Sequence, residues 1–557
     1  MMTLRPLSVA SAALWVGAFT LAVPGAERSP DAPITQSLHP AATPDSSLFA
    51  VSNECQACHN RLTSPVGDDI SIGLSWRGTM MANSGRDPYF HASVRREVLD
   101  HRQSAAAIED ECAACHLPAA RAAARAAGRE GSIFAHLAGA ASTAPSALDA
   151  LAIDGVTCTV CHQIASDEPG TPARFNGNFA LGAALPGGAR PAFGPFAPDT
   201  GRRRVMHSVT GFEQVQSEHI RQSELCATCH TLVTEALGPD GRVIGSLPEQ
   251  MNYQEWRHSA FAGEGRSCQS CHMPEVAGPV RVSSVLGVDR DRMARHVFAG
   301  GNAFMLRMMN RHRTDLGVVA SPAELEATAA ATIHQLAHDT ATVALENVTA
   351  TDQTLAFDVV VTNLTGHKMP TGYPSRRAWL HVVARDAAGR IVFESGRVRE
   401  NGAIDGNDAD ADATRFEPHH VEITGAGDVQ IYESIMGTPA GVPTTGLLQA
   451  TRYLKDSRLL PRGFDKRSAP AEIGVVGDAG DDQDFVGGAD RTRYRVSTGG
   501  TKPARLEVEL RYQPIAYRWA QNLTAYDAPE PRRFVGYFNA MAGESSTVVA
   551  SLTRTLN

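Results

Sequence analysis

The segment Glu224–His230 reads E-L-C-A-T-C-H, and a short way further on Cys268–Pro274 reads C-Q-S-C-H-M-P. Both contain the pentapeptide C-x-x-C-H. In this pentapeptide the two thiols are spaced to add across the vinyl groups of one haem, and the adjacent histidine is placed to ligate the haem iron. The two segments therefore favour covalent attachment of c-type haem.

The same pentapeptide occurs five times and uses all ten cysteines of the chain. The predicted haem-binding residues are Cys55, Cys58, His59, Cys112, Cys115, His116, Cys158, Cys161, His162, Cys226, Cys229, His230, Cys268, Cys271 and His272. The alternatives are redox or zinc sites, which would leave spare cysteines or C-x-x-C pairs without the histidine. Neither occurs, so we predict five covalently bound c-type haems, with the five motif histidines as proximal iron ligands.

Length and charge limit the class of protein. A chain of 557 residues is too long for one ordinary core and is expected to form two to four units. The net charge of -9 becomes more negative once haem propionates are added, which argues against nucleic acid as a partner.

The first residues predict export. Arg5 precedes an apolar run from Leu7 to Val23, and the small residues Gly25 and Ala26 follow where a peptidase could cut. An uncleaved anchor is the alternative, because the run is almost long enough to span a membrane at about 20 residues. Cleavage would leave no transmembrane span, so we expect a periplasmic or extracellular protein, which agrees with haem attachment outside the cytoplasm.

We predict an α+β fold class. A haem-dense, loop-rich α-helical N-terminal region is followed by an antiparallel, β-sandwich-like C-terminal domain. The predicted boundaries are 1–26 for the signal peptide, 27–50 for a flexible lead-in, 51–315 for the pentahaem domain, 316–340 for a bridging helix and 341–557 for the β-sandwich-like domain.

The motif region is too short to enclose each haem separately, so the haems are expected to pack against one another. An alanine- and arginine-rich helix is predicted from Ala105 to Ala127, with Gly128 at its end. Residues 169–201 are rich in Gly, Pro and Phe and predict a loop.

Further on, the pattern changes from helix to strand. Ser321-Pro322-Ala323-Glu324 is a capping box that predicts a helix to about His338. Leu355 to Val361 alternate apolar and polar residues, and 379–393 read as a hairpin. Residues 506–510 and 546–552 predict further strands.

Three segments together resemble the multihaem c-type cytochromes of the cytochrome c-554 kind: Ser223–His230, Tyr253–Trp256 and Cys268–Pro274. A fourth, Asn363–Gly372, reads N-L-T-G-H-K-M-P-T-G and is similar to the C-terminal domain appended to many exported multihaem cytochromes. The resemblance implies an electron-transfer protein.

The chain departs from that family in two respects. It has five motifs rather than four. Two similar segments, Trp76-Arg77-Gly78-Thr79-Met80-Met81 and Trp256-Arg257-His258-Ser259-Ala260-Phe261, hint at a duplicated haem-helix unit but carry Met81 and Phe261 where related proteins often carry histidine. Met80 and Met81 are alternative axial ligands.

The distal side of each haem decides between carrier and enzyme, because an iron with histidine on both sides is closed to substrates. Histidines near the motifs are His91, His101, His136, His207, His219, His258, His296 and His312. Our distal candidates are His219, His296 and His207, together with His367 from the β region, which a turn between two strand runs could project towards the haems.

Two further patterns could bind metal. His334 and His338 share one helix face, but they lack a cysteine or acidic partner for zinc. Asp405, Asp408, Asp410 and Asp412 form an acidic loop without the glycine and glutamate positions of a calcium loop, so a solvated turn is the interpretation we favour.

The favoured function is that of an exported pentahaem cytochrome that passes electrons between redox proteins in a respiratory chain. The alternatives are an oxidoreductase acting on a small nitrogen or sulfur compound at one open haem, and a structural subunit of a larger cytochrome complex. None of the five motifs ends in the lysine that marks catalytic pentahaem nitrite reductases. The sequence names neither donor nor acceptor, and whether the chain is an enzyme stays open.

Overall fold

A computed structural model describes residues 48–137 and 146–556. The predicted signal peptide and most of the predicted lead-in lie outside the described residues. Within the part of the chain that is described, no helix has both the length and the apolar composition needed to cross a membrane.

Short helices and small two-stranded sheets form the part of the chain that carries the cysteines. Its helices are α1 (Ser52–Gln56), α2 (Ile72–Arg77), α3 (Pro88–Asp100), α4 (Ala105–His116), α5 (Pro118–Ala126), α6 (Ala147–Ile153), α7 (Cys158–Cys161), α8 (Thr200–Thr210), α9 (Ser223–Ala227), α10 (Asn252–Arg257), α11 (Ala260–Gly263), α12 (Cys268–His272), α13 (Ala303–Arg311), α14 (Arg313–Leu316) and α15 (Pro322–Asp339). Its strands are β1 (Arg190–Gly194), β2 (Phe212–Gln216), β3 (Leu232–Leu237), β4 (Val243–Gln250), β5 (Val280–Arg281) and β6 (Asp289–Arg290). β1 and β2 pair in parallel, whereas β3–β4 and β5–β6 are antiparallel.

The helix predicted from Ala105 to Ala127 is two helices. α4 ends at His116 and α5 begins at Pro118, where the proline ring and its missing N–H group prevent the first helix from continuing. α5 stops before Gly128, which has a φ of 71° and therefore a left-handed conformation that favours glycine. The break leaves the second C-x-x-C-H motif at the end of α4, just before the change of direction.

α15 follows its sequence signal. The Ser321 hydroxyl accepts a bond from the Glu324 N–H group at 3.3 Å, and the Glu324 carboxylate accepts one from the Ser321 N–H group at 2.8 Å. This reciprocal capping begins the helix, which runs to Asp339 and leads directly into the first long strand.

Two sheets, antiparallel except for one parallel strand pair, form most of the remaining chain. Its strands are β7 (Ala341–Ala350), β8 (Thr354–Asn363), β9 (Arg377–Arg385), β10 (Ile391–Ser395), β11 (Glu422–Ile423), β12 (Ile431–Gly437), β13 (Pro443–Thr444), β14 (Arg452–Asp456), β15 (Ala489–Ser497), β16 (Arg505–Gln513) and β17 (Thr547–Thr555). Its helices are α16 (Asp408–Ala411), α17 (Tyr517–Asn522) and α18 (Pro529–Met541). One sheet has the order β13-β12-β9-β16-β17, with β10 beside β9 and β14 beside β12, and the other has the order β11-β15-β8-β7.

The two sheets bury their alternating apolar residues against each other. Leu355, Phe357, Val359 and Val361 of β8 are all 0 % exposed, as the period of two predicted. They share one hydrophobic cluster with residues of β9 and β16, and the Phe357 ring stacks on Tyr494 of β15 at 4.7 Å between centroids. The predicted α+β class is confirmed.

α17 and α18 were not predicted, and they lie inside the region expected to be β. Phe534 and Phe538 of α18 pack into a hydrophobic cluster with Tyr89 of α3 and Phe304 of α13. This cluster therefore joins residues from both sides of the predicted boundary at 340/341. The domain boundaries stay a prediction.

Candidate functional site

One large cavity contains the residues of all five motifs. Its volume is about 2220 Å³, and its walls include all ten cysteines and all five motif histidines. Pockets for single small ligands usually measure about 300–1,000 Å³. The cavity is therefore large enough for several bulky groups side by side.

Each motif forms a helical turn that places its cysteines and histidine on one side. The N–H group of the motif histidine bonds to the carbonyl of the first cysteine at 3.0 Å in the first motif, 3.1 Å in the third and 3.0 Å in the fourth. The second motif forms the end of α4, and the fifth motif is α12 itself. Residues three and four positions apart meet on one helix face, so the pentapeptide directs both thiols and the imidazole to the same side.

Three motif histidines are held by a backbone carbonyl. Nδ1 of His59 lies 2.5 Å from the Val282 carbonyl oxygen. The equivalent distances are 2.6 Å from Nδ1 of His162 to the Phe193 carbonyl oxygen and 2.6 Å from Nδ1 of His272 to the Ala299 carbonyl oxygen. A carbonyl oxygen can only accept a hydrogen bond, so Nδ1 carries the proton and donates it, and Nε2 keeps its lone pair for a metal ion.

The other two motif histidines are held differently. His116 stacks on Phe90 with centroids 3.6 Å apart and an angle of 2° between the rings, and its buried Nδ1 has no partner among the described residues. Burial lowers the pKa of His116 to about 4 and is also the main cause that lowers the pKa of His230 to about 4. Both imidazoles are therefore neutral at physiological pH and available as ligands.

Two motif histidines face a second histidine across a gap. The His162 and His296 rings have centroids 6.3 Å apart and planes 17° apart, and His272 and His367 have centroids 6.4 Å apart and planes 13° apart. Rings in direct stacking contact lie much closer, as with the 3.6 Å between His116 and Phe90. A metal–imidazole bond of about 2 Å on each side would place two such rings about 6 Å apart. The gap fits a metal ion coordinated by both rings.

Of the four predicted distal ligands, His296 and His367 are thus the two that lie opposite motif histidines. His219 is buried, and both of its nitrogens are engaged: Nδ1 with the Ser217 hydroxyl at 2.6 Å and Nε2 with the Ile164 carbonyl at 2.8 Å. His207 has a side chain that is 43 % exposed and pairs with Glu213. These bonds would have to break for His219 or His207 to ligate iron, so the geometry does not favour either.

The remaining residues raised by the sequence have other surroundings. His334 and His338 stack on each other at 4.2 Å on the exposed face of α15, next to the cavity. His258 is exposed and bonds to a carbonyl of its own helix. Met80 and Met81 both line the cavity.

The two tryptophan segments adopt related structures. The N–H group of Ile72, which opens α2, bonds to the His59 carbonyl at 3.0 Å. The N–H group of Tyr253 in α10 bonds in the same way to the His230 carbonyl at 3.3 Å. Both helices end at the arginine after the tryptophan. The suggested duplication therefore has a counterpart in the local fold.

Thiols of different motifs approach each other closely. The thiols that interact across motifs are Cys55 with Cys158, Cys115 with Cys229, and Cys226 with Cys268. Cys161 of the third motif also interacts electrostatically with Cys226 and Cys229 of the fourth. The five motifs thus form one connected group, in which the fourth motif has the second, third and fifth as neighbours.

A buried carboxyl group lies beside the second motif. Glu249 is 5 % exposed, accepts a bond from the Thr234 hydroxyl at 2.6 Å and lines the cavity. Burial raises the pKa of Glu249 to about 7. The charge of Glu249 therefore changes near neutral pH.

The acidic loop is neutralised by arginine side chains. Asp405 pairs with Arg397 and Arg399, and Asp410 forms two bonds of 2.9 Å to Arg377. Asp410 is 3 % exposed, whereas we expected a solvated turn. Its charge can be buried because Arg377 compensates it. The loop provides ion pairs rather than free calcium ligands at these two aspartates.

A second buried group of potential metal ligands lies between the sheets. His419, Asp482 and Asp490 offer ligand atoms within 4.8 Å of one another. The Gln430 carbonyl oxygen accepts the His420 N–H group at 2.8 Å, so the Gln430 amide nitrogen donates to Nδ1 of His419 at 2.9 Å. His419 then carries its proton on Nε2 and donates it to Asp482 at 3.0 Å. This proton occupies the position a metal ion would need, so the group is a hydrogen-bonded part of the core.

Sequence reasoning missed the groups that orient the imidazoles. The Phe193 carbonyl belongs to β1, whereas the Val282 and Ala299 carbonyls lie outside helices and strands, and each is at least 27 residues along the chain from the histidine it supports. Every residue has a carbonyl, so no residue type marks this role in a sequence.

Comparisons with known proteins give a likeness of fold. No protein-family model matches the chain, and no curated protein matches it. A penta-heme cytochrome c552 from Thermochromatium tepidum has a similar structure, with a TM-score of 0.52, 17 % sequence identity, and coverage of 92 % of this chain and 100 % of that one. Identity this low bears on the fold alone. The chain has a fold similar to that of a multihaem cytochrome.

Proposed function

We propose that the chain is an exported pentahaem c-type cytochrome that transfers electrons between redox proteins of a respiratory chain. The observation that carries the proposal is the single cavity of about 2220 Å³ lined by all ten cysteines and all five motif histidines. Isolated zinc sites or disulfides would not require a shared apolar cavity of this size.

The residues fit covalent haem. Each helical turn presents two thiols and an imidazole on one side, which is the arrangement that thioether attachment and proximal ligation require. His59, His162 and His272 have Nε2 free because Nδ1 is bonded to a carbonyl. His116 and His230 are buried and neutral.

His296 and His367 would hold two of the irons from the opposite side, facing His162 and His272. When bound, each haem supplies one iron that accepts and releases one electron. The chain's own residues attach the groups, fix the axial imidazoles and exclude water. Two histidines on one iron leave no position for a substrate, which favours electron transfer over catalysis at these two sites.

The proximity of the motifs supports transfer within one array. Close thiol pairs link the first motif to the third and the fourth to the second and fifth. The fold likeness to a protein described as a penta-heme cytochrome c552 points the same way. We further propose a periplasmic or extracellular location and soluble redox proteins as partners, with membership of a larger cytochrome complex as the alternative.

A second candidate function is reduction or oxidation of a small nitrogen or sulfur compound at an open haem. The observation that favours it concerns His59, His116 and His230. Among the described residues, none of these rings has a second histidine ring parallel to it at the 6.3–6.4 Å seen for the two pairs. Up to three irons could then have another distal ligand or none.

Two measurements on the purified holoprotein test both proposals. Mass spectrometry after acid–acetone extraction should show five retained haems, and fewer would contradict the cofactor assignment. Electron paramagnetic resonance and carbon monoxide binding then count open irons. Low-spin signals from all five haems, with no carbon monoxide adduct, support the carrier. A stoichiometric high-spin haem that turns over nitrite or hydroxylamine with a reduced dye would favour the oxidoreductase.

A further inference from the structure

The loop that carries His367 is fixed by an unusual number of hydrogen bonds. Asn363 donates from its side chain to the His367 carbonyl at 2.9 Å, and the Thr365 hydroxyl donates to the same carbonyl at 2.8 Å. Nδ1 of His367 bonds to the carbonyl of Lys368 at 2.9 Å. At Gly366 a side chain would meet the Phe261 ring at 3.2 Å, so the loop lies directly against α11.

Four charged side chains are buried immediately behind this loop. Lys368 is 0 % exposed and donates to Asp456 at 2.7 Å. Arg458 binds Asp456 through two further bonds of 2.8 and 2.7 Å, and its other terminal nitrogen lies 2.9 Å from Glu255. Burial raises the pKa of Asp456, but the charges of Arg458 and Lys368 more than offset this and hold that pKa at about 2. The group consists of two cations and two anions and is neutral as a whole.

Glu255 is the member that reaches the histidine loop. One of its carboxylate oxygens accepts the N–H group of Lys368 at 3.1 Å and the hydroxyl of Thr371 at 2.5 Å. The peptide that contains this N–H group joins His367 to Lys368. The carboxylate therefore holds the residue whose carbonyl, in turn, fixes Nδ1 of His367.

Glu255 also connects two motifs. It lies on α10, and Tyr253 of the same helix bonds through its N–H group to the carbonyl of His230. The helix α10 thus contacts the fourth motif through Tyr253 and supports the loop of His367 through Glu255. His367 in turn lies opposite His272, the histidine of the fifth motif. The same helix therefore contacts both the fourth motif and the loop that carries His367.

We propose that Glu255 is the positioning residue for His367: its buried carboxylate fixes the loop so that the imidazole faces His272, and its negative charge tunes the electron affinity there. The proposal rests on the proposed haem function. Because a buried anion stabilises the more positive, oxidised state of a nearby iron, its removal should favour reduction. Loss of the Glu255 charge also leaves Lys368 and Arg458 with only Asp456 as counter-charge.

Two variants separate the effect of the Glu255 charge from the effect of its hydrogen bonds to the His367 loop. Glu255→Gln keeps an acceptor for the Lys368 N–H group but removes the charge. Thr371→Val removes only the hydroxyl bond to Glu255 and creates no unpaired buried charge, so it stays informative if Glu255→Gln folds poorly. Glu264→Gln is the matched control, because Glu264 on the neighbouring turn forms an exposed pair with Arg462.

The test is a redox titration of the holoprotein, followed by electron paramagnetic resonance, after haem content has been measured. The haem in question is first identified as the one whose low-spin signal His367→Ala removes. We expect Glu255→Gln to raise the midpoint potential of that haem alone, Thr371→Val to change its low-spin g-values, and Glu264→Gln to change neither. If both loop variants retain every haem and leave that haem's potential and g-values as in the parent, the inference is wrong while the haem function stands. Absence of haem from the parent protein would instead overturn the proposed function and this inference with it.

Discussion

For each histidine, the hydrogen bonds of its two ring nitrogens determine whether one nitrogen stays free to bind a metal ion. Nδ1 of His162 and of His272 donates to a carbonyl, and these rings lie opposite His296 and His367, whereas His219 has both nitrogens in use. These histidines are alike in sequence, and several are equally close to a motif along the chain. Their hydrogen-bond partners distinguish the proposed ligands from His219, whose two nitrogens are both engaged.

Replacing His296 by alanine should remove one ligand from the haem that we propose His162 to bind. We expect one of the low-spin signals to become high-spin and to bind carbon monoxide, since no imidazole then faces His162 at the observed 6.3 Å. Electron paramagnetic resonance of the holoprotein measures this. His258→Ala serves as the control because His258 is exposed and bonds only within its helix. Identical spectra for the His296→Ala variant and the parent would rule out His296 as a ligand.

Glu249 should make the stability of the protein depend on pH. Its pKa is raised from 4.5 to about 7 in the folded state, so the folded chain holds this proton more tightly than the unfolded chain. The free energy of unfolding therefore falls as pH rises from about 4.5 to 7, by roughly 1.4 kcal/mol per pH unit at most from this group.

Glu249→Gln should remove that part of the pH dependence. Glutamine still accepts the Thr234 bond but cannot ionise, so the variant should match the parent near pH 4.5 and exceed its stability above pH 7. Guanidinium denaturation across this range measures the difference. Glu235→Gln is the control, because Glu235 lies exposed on the same hairpin. Parallel pH profiles for the Glu249→Gln variant and the parent would contradict the burial argument.

The sequence reveals attachment residues more readily than their partners. The C-x-x-C-H motif is local, so its helical turn follows from the spacing alone. His296 and His367 were among the four distal candidates, but nothing in the sequence separated them from His219 and His207. That separation depends on Ser217, Ile164 and Glu213, which meet the histidines only in the folded chain.

At the scale of elements, helix signals gave the right class of structure but not every boundary. The capping box at Ser321 predicted α15, whereas Pro118 divides a helix that composition alone would continue. α18 was missed because it follows a long series of strands, although Pro529 at its start and Phe534 and Phe538 four residues apart are ordinary helix signals. Expectation from the surrounding strands outweighed a local pattern.

Phe534→Ala should destabilise the contact between α18 and α3. Phe534 is 0 % exposed, and its ring lies 5.0 Å from that of Tyr89. Removing a buried phenylalanine ring costs about 3–5 kcal/mol. Chemical denaturation of the holoprotein measures the loss. Arg532→Ala on the same helix should change stability by less than about 0.5 kcal/mol, because its pair with Asp527 is exposed. Equal effects from the two substitutions would show that α18 is not anchored through Phe534.

The whole molecule has two kinds of interior. Between the sheets, close-packed apolar side chains such as Phe357 and Leu380 fill the space. In the motif region, a cavity of about 2220 Å³ lies beside a smaller apolar cluster that includes Phe90 and Ile108. A folded protein cannot leave so large an apolar space without ligands, since close packing supplies much of its stability. We therefore expect the second interior to depend on the haems proposed to be attached to the cysteines.

Protein made without haem attachment should keep the sheets and lose the motif region. We expect slow amide hydrogen exchange in β8, β9 and β16 of the haem-free chain, and fast exchange in α4, α9 and α12. The β strands bury their own side chains, whereas the three helices line the cavity. Hydrogen exchange read by mass spectrometry compares the haem-free and holo forms. Equal protection of α4 in both forms would show that the motif region folds without its haems.

The position of the second histidines along the chain has a consequence for the order of assembly. His296 and His367 both follow Cys271, the last of the ten cysteines. During export from the N-terminus, every cysteine of the proposed pentahaem protein therefore emerges before either second histidine. In the proposed protein, haem attachment can therefore precede ligation by either second histidine. The two sheets of β7–β17, with the loop of His367, emerge after every cysteine.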